Sequence, residues 1–326
     1  MQIFNKTMKI QLIAAVCCAC VLLAGCGQTE ELDSMGENLK MSMVASIEGS
    51  DNSGISRYAG GTPIEASFSD GDDIGLAVGD GDFVKWTLNG TNWSPEGNTI
   101  YWEDRNTEYA FCAFYPYAEN ASKGNVPMPA LTSQDGTMES VAECDFLVAT
   151  KSQKYGTNGI VELTGDYAFT HESSLVAMTV KAGGDLTSAT LDKITIEGEG
   201  VVSASTYSFI DKKVTVSNDE NDALIVSFTN KNMTSSGETF YFILNSETVE
   251  LTDVTLSIEY TSGGIKYEAE KVGIQKDDGD DKFNSGKQYV YSVTVVDQTL
   301  KITGNDIKDW ETGDSLGEIV IGGEKV

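Results

Sequence analysis

Short runs rich in Val, Ile, Thr, Tyr and Phe recur along almost the whole chain, and Gly, Asn, Asp or Ser separates one run from the next. The early ones are Ile74–Val78, Phe83–Leu88, Thr99–Trp102, Tyr109–Tyr115 and Phe146–Ala149. The later ones are Leu175–Lys181, Lys193–Ile196, Lys213–Val216, Leu224–Phe228, Thr239–Leu244, Val254–Tyr260, Tyr289–Val296 and Glu318–Ile321. β-branched and aromatic residues suit a pleated, half-buried surface, and the intervening turn formers end each run. Alternation is clean in the second half: Val254, Leu256, Ile258 and Tyr260 share one face, Thr255, Ser257 and Glu259 the other. No stretch of ten or more residues carries a helical period. Many short strands at this spacing predict an all-β chain of antiparallel sandwiches. The length beyond the N-terminal leader exceeds one simple core and predicts two domains in tandem. The composition shifts at Ala182-Gly183-Gly184-Asp185, where an apolar strand ends and a more polar, regularly alternating half begins.

The N-terminus sets the compartment. Lys6 and Lys9 flank the start of an apolar run from Ile10 to Leu23, which leads into Leu23-Ala24-Gly25-Cys26. A charged start, a short apolar core and small residues before a cleavage point describe a secretory leader. The run is too short to span a bilayer, which needs about 20 apolar residues. It resembles a bacterial lipoprotein signal, with Cys26 the lipidated first residue after cleavage; that covalent lipid is the only attached group expected, and no cofactor is. The acidic Gln28-Thr29-Glu30-Glu31 is similar to the surface-export signals of Bacteroidetes lipoproteins. Once residues 1–25 are removed, Lys+Arg falls from 22 to 20 against 50 Asp+Glu, a net charge of about −30. Such a chain repels nucleic acid and anionic headgroups, so it meets a membrane through its lipid alone. Residues 26–57 read as a tether in which Met41, Met43, Ala45 and Ile47 take every second position, with Ser42, Val44 and Ser46 between them, as in one half-buried strand. The domains expected are then 58–183 and 184–326.

Residues capable of chemistry are few. Cys112 and Cys144 remain after the leader and Cys26 are set aside. They are either an exported disulfide or two small buried hydrophobes, and their strand-like surroundings favour the second. His171 is the only histidine, no Gly-x-Ser-x-Gly elbow accompanies it, and a packed histidine is the expectation rather than an enzyme. Asp70-Gly-Asp-Asp73 and Asp80-Gly-Asp82 read as tight turns. Asp277, Asp278, Asp280 and Asp281 are the best remaining calcium candidate, although none of these runs has EF-hand spacing. Trp86 and Trp102 lie in strands and belong to a core; Trp93, in Gly90-Thr-Asn-Trp-Ser, is expected to be exposed in a turn.

Four segments in order carry a family resemblance: Phe68-Ser-Asp-Gly-Asp-Asp-Ile-Gly-Leu76, Tyr109-Ala-Phe-Cys-Ala-Phe-Tyr-Pro-Tyr117, Asp145-Phe-Leu-Val-Ala149 and Phe169-Thr-His-Glu-Ser-Ser-Leu-Val-Ala177. Trp310-Glu-Thr-Gly313 completes the set. The chain resembles the fimbrillin family of Bacteroidales, the Mfa-like and FimA-like pilins with their accessory and anchor subunits. The resemblance implies two transthyretin-like β-sandwich domains and a role in pilus assembly and cell adhesion. It also implies export to the outer membrane and cell surface, and incorporation into a fimbrium after a protease cuts next to Arg or Lys. Trimming removes the first strand, and a strand from the next subunit fills the groove head-to-tail. On this sequence the cut falls between Arg57 and Tyr58, the removable strand is Met41–Ile47, and Ile319 and Ile321 form a donor strand. Two other readings stand beside it: a lipid-retained fimbrial anchor, and a monomeric surface lipoprotein that binds a glycan or other ligand through its loops, a glycan binder depending on Trp93.

Overall fold

A computed structural model describes residues 39–48, 58–59, 65–156, 158–217, 222–247, 249, 251–274, 281–296 and 299–309. In chain order the first half contains β1 (Ser42–Ala45), β2 (Tyr58–Ala59), β3 (Glu65–Ala66), β4 (Asp73–Val78), β5 (Val84–Asn89), β6 (Asn92–Pro95), β7 (Tyr109–Tyr115) and β8 (Val126–Pro127). The short helix α1 (Met138–Cys144) precedes β9 (Leu147–Gln153), β10 (Ile160–Leu163), β11 (Thr170–His171) and β12 (Ser174–Ala182). Then come β13 (Thr190–Glu197), β14 (Ser205–Ser208), β15 (Lys213–Val216), β16 (Ala223–Asn232), β17 (Glu238–Leu244), β18 (Thr255–Ser262), β19 (Ile265–Gly273), β20 (Lys287–Val296) and β21 (Thr299–Asp309). The chain is all-β, as the spacing of its apolar runs predicts.

A six-stranded sheet in the order β11-β9-β7-β4-β5-β6 organises the first half. Its centre is close-packed. A Cβ on Gly75 of β4 would lie 2.3 Å from the Phe114 ring, so only glycine lets that ring lie flat on the strand. In the second half, β17-β12-β20-β21 and β16-β13-β18-β19 form two four-stranded sheets whose inward residues share one apolar core. Val254, Leu256, Ile258 and Tyr260 are all buried there, on the face that their alternation predicts.

Among the described strands, two pairings depart from the antiparallel pattern. β12 runs parallel to β20, from Leu175 opposite Gln288 to Ala182 opposite Val295, and β1 runs parallel to β10. Parallel neighbours need a long crossover. Between β12 and β20 it is supplied by the chain that builds the facing sheet. β12 follows β11 after only Glu172 and Ser173, so the chain leaves the six-stranded sheet and enters the second-half sheet almost without a loop. The hairpin β14–β15 reaches back: Tyr207 pairs with Val126 of β8, and Tyr207, Phe209 and Val214 bury Phe114, Phe146 and Val148 on the back of the six-stranded sheet.

Candidate assembly groove

The strand at 40–47 stands apart from the main sheets. Met41, Met43 and Ile47 are 2%, 3% and 3% exposed, whereas Val44 between them is 41% exposed. This is the period-two alternation of a half-buried strand. The backbone is held along both sides at its start: Met41 N–H donates to the Ile100 carbonyl at 2.8 Å, and Trp102 N–H donates to Leu39 at 2.8 Å. On the other side, Ser42 N–H donates to Gly159 at 3.2 Å, and Ser42 through Ala45 lie opposite Ile160 through Leu163. The far end is latched by Ser46 N–H to Leu163, Glu48 N–H to Phe169 at 2.8 Å, and Phe169 N–H to Ser46 at 2.9 Å.

β10 is hydrogen-bonded to the rest of the fold in an unusual way. Its other edge is met by side chains of β9: Gln153 Nε2 donates to the Ile160 carbonyl at 2.8 Å and Lys151 Nζ to the Glu162 carbonyl at 2.7 Å. Glu162 N–H donates to Gln153 Oε1 at 3.2 Å. The two-stranded sheet β1–β10 is therefore a separate unit laid over the core. Withdrawal of 40–47 would free the carbonyls of Ile100 and Leu163, the N–H of Phe169 and three apolar seats, and would leave the Gly159 carbonyl with Trp102 Nε1 alone. A row of unpaired backbone groups beside an apolar groove is what a foreign strand recognises.

Gly159 sets the depth of the seat. Its φ is +67°, and a Cβ there would lie 2.8 Å from the Lys40 carbonyl and 3.2 Å from Trp102 Nε1, which itself donates to the Gly159 carbonyl at 2.9 Å. The Arg105 guanidinium covers the adjoining Tyr155 ring at 4.9 Å. Gly159→Ala combines a left-handed φ with a backbone clash, so a loss of about 2 kcal/mol is expected. The loss should be local: faster hydrogen exchange at Ser42 through Ser46 with the six-stranded sheet unchanged. Protection at β1 equal to wild type would contradict this account of the seat.

Residues 41–310 match the fimbrillin-like family. The chain belongs to that family. Membership places it among fimbrial and cell-adhesion proteins of the cell surface, which act together with other fimbrial components. A Bacteroides uniformis protein provisionally assigned as the fimbrium subunit Fim1C is 25% identical over 332 residues, covering 95% of this chain and 98% of that protein. Two solved structures share the fold. One, of a B. uniformis protein provisionally titled a cell adhesion protein, gives a TM-score of 0.58 at 18% identity, over 83% of this chain and 98% of the other. The second, a fimbrial protein from Bacteroides vulgatus, gives 0.53 at 12% identity, over 83% and 99%.

In this fimbrillin-like chain, the strand expected at Met41, Met43, Ala45 and Ile47 is the one seated in the groove. Tyr58 begins β2, opposite Ala66 of β3. Cys26, Arg57, Ile319, Ile321, Asp277, Asp278 and Asp280 lie outside the described residues, and Asp281 is exposed. In the turn at Asp70–Asp73 two carboxylates are engaged by backbone donors: Asp70 accepts from Gly90 N–H at 2.7 Å and Asp72 from Ser69 N–H at 2.7 Å. Among the described residues no group of three His, Cys, Asp or Glu is arranged to hold a metal ion. No helix among them is long and apolar enough to cross a membrane.

Trp93 is a correction. It is 6% exposed, pairs with Leu88 across the β5–β6 hairpin and meets Phe68 edge-on at 5.2 Å. The turn is only Gly90-Thr91 and β6 already begins at Asn92, so Trp93 takes the first inward position of β6. A glycan platform cannot rest on it in this conformation. Trp86 and Trp102 are buried, as expected, and Cys112 and Cys144 are free thiols. Burial, followed by the nearby Glu143 and Asp145, pushes the Cys144 thiol up to about 11, so it stays protonated.

His171 is buried with Nδ1 3.0 and 2.9 Å from the two carboxylate oxygens of Asp145. Sequence reasoning missed its neighbour. Glu172 sits where the chain passes between sheets: its N–H donates to Phe146, and its carbonyl accepts from the Ser246 and Ser285 hydroxyls at 2.6 and 3.3 Å. Burial first, and then Glu247, raise its carboxyl to about 7, against a smaller opposing pull from His171. The only sequence signal was its place beside the single histidine.

Proposed function

We propose that this protein is a fimbrial subunit, or a fimbria-associated protein, which assembles by exchanging strand 40–47 for a strand of another subunit and serves cell adhesion. The observation that carries this reading is the seating of 40–47: three buried apolar side chains and latches at both ends, on a two-stranded unit outside the main sheets. In this reading the chain is exported as an outer-membrane lipoprotein through Cys26, and an Arg-specific protease cuts between Arg57 and Tyr58. The cut removes the lipid together with the first strand. An incoming strand then restores the backbone bonds and fills the vacated seats. Because donor and acceptor surfaces differ, the contact is head-to-tail and generates a filament instead of a closed pair. No catalytic step is assigned to any residue. His171 is taken as a structural partner of Asp145.

The test uses Cys26→Ala protein lacking the leader, cut briefly with an Arg-specific protease. A new N-terminus at Tyr58, with multimer ladders in unboiled SDS gels that vanish on boiling, is the expected result. A cut at Tyr58 without ladders would withdraw the polymerising role and leave an accessory one. Resistance of the Arg57–Tyr58 bond would overturn the trimming step.

A further inference from the structure

Arg57 and Arg105 are the only arginines in the chain. Arg105 is exposed in the loop 103–108, which joins the segment 100–102 to β7. The loop is short and folded on itself. The Asp104 carboxylate accepts from Asn106 N–H at 2.6 Å, from Thr107 N–H at 2.7 Å and from the Thr107 hydroxyl at 2.6 Å. Such a turn keeps the Arg105–Asn106 bond out of the extended, accessible form that a protease needs. The Tyr109 hydroxyl donates to Glu103 across the base of the loop at 3.3 Å, and the Arg105 guanidinium lies over the Tyr155 ring.

The two ends of this loop are held differently. Downstream, Tyr109 opens β7 and pairs with Gln153 of β9 inside the six-stranded sheet. Upstream, the backbone is bonded to the groove strand: Met41 N–H donates to Ile100 and Trp102 N–H to Leu39, with Lys40 opposite Tyr101 between them. Without 39–41 those backbone bonds are lost. The Trp102 side chain then holds the segment, through Nε1 to the Gly159 carbonyl and edge-on contacts with Tyr109, Phe111 and Tyr155. A loop with one loosened end opens more often, and cleavage of a native chain follows the population of the opened form. We propose that Arg105–Asn106 is a conditional cleavage site for a protease that cuts after arginine, closed while a strand lies beside Ile100–Trp102 and opened when that place is empty. Hydrolysis adds water across the bond, leaving a carboxylate on Arg105 and an amine on Asn106, with the protease as catalyst. Given the strand-exchange reading above, a subunit with an empty groove is cut and one filled by a neighbour is spared.

The test uses Cys26→Ala, Arg57→Lys protein lacking the leader, in which Arg105 is the one arginine left. Monomer fractions with and without Met43→Asp would be given an Arg-specific protease, and the fragment beginning at Asn106 followed by mass. Met43→Asp should be cut at least about tenfold faster than the parent, and Val44→Asp at the parent's rate. Hydrogen exchange in β4, β7 and β9 of the same samples separates local opening from global unfolding. Should those strands lose protection, Gly159→Ala replaces Met43→Asp, with a smaller rise in rate expected. A peptide of residues 39–48, added to the open monomer until β10 regains protection, should return the rate to that of the parent. Equal rates with the groove seated and open would overturn the proposal, as would undiminished cutting with the peptide bound. Arg57 is absent throughout, so failure here is distinct from failure of trimming or of assembly, which are read on protein that keeps Arg57.

Discussion

Met43→Asp should release segment 40–47 from the fold. Met43 is 3% exposed in the middle of the groove, and the substitution removes its apolar contacts and places a carboxylate in their stead. Lost packing of a buried methionine is worth about 2–5 kcal/mol, and an unpaired buried charge adds several more. That exceeds what a short strand outside the main sheets can absorb, so the response should be local detachment and not global unfolding. Hydrogen exchange should show amide protection lost across Ser42–Glu48 and kept in β4, β7 and β9. If strand exchange is correct, an open groove should also let the variant form multimers without trimming. Val44→Asp is the control, since Val44 faces solvent and the change should stay within about 0.5 kcal/mol. Unaltered protection of β1 in Met43→Asp would show that the seat does not hold the strand.

Glu172→Gln should stabilise the protein at pH 8 and leave it nearly unchanged near pH 4.5. The folded-state value of Glu172 lies at about 7, above the ordinary 4.5, so the native state holds this proton more tightly than the unfolded chain. Its contribution is fully present below about pH 4.5 and is lost as pH rises through about 7. A displacement of that size corresponds to roughly 3 kcal/mol, and partial exposure of the side chain reduces the expected gain to about 2 kcal/mol at pH 8. Denaturant titrations of both proteins from pH 4.5 to 8 would show curves that diverge across that window. Parallel curves would mean that Glu172 ionises freely. The position matters because Glu172 lies in the two-residue link between β11 and β12, tied to loops at Ser246 and Ser285.

Local pattern carried far in this chain. The run Tyr109–Tyr115 and the run Lys213–Val216 are strands with the bounds that their composition suggests; Pro116 ends the first, and Asp211 and Ser217 bracket the second closely. The face of β18 was legible residue by residue, since period-two alternation is a property of the strand alone. So was the amphipathic strand at 41–47. Trp93 was misread because the hairpin turn ends at Thr91, which makes Trp93 a strand residue whose position in the pleat sends it to the core.

The sequence by itself determined the all-β class, most strand positions, the inward face of 41–47 and the acidic, histidine-poor chemistry. These depend on residues within a few positions of one another. Only the tertiary structure decided the partners. It paired β12 with β20 in parallel, laid β14–β15 across the back of the first sheet, and raised Glu172 by burying it beside Glu247. It also made Gly159, Ile100 and Phe169 the rim of the groove that seats 40–47. Such pairings join backbone groups far apart in the chain, and backbone groups are alike at every residue. The choice among them is made by which apolar surfaces can be buried together, a condition satisfied by the whole fold and by no segment of it.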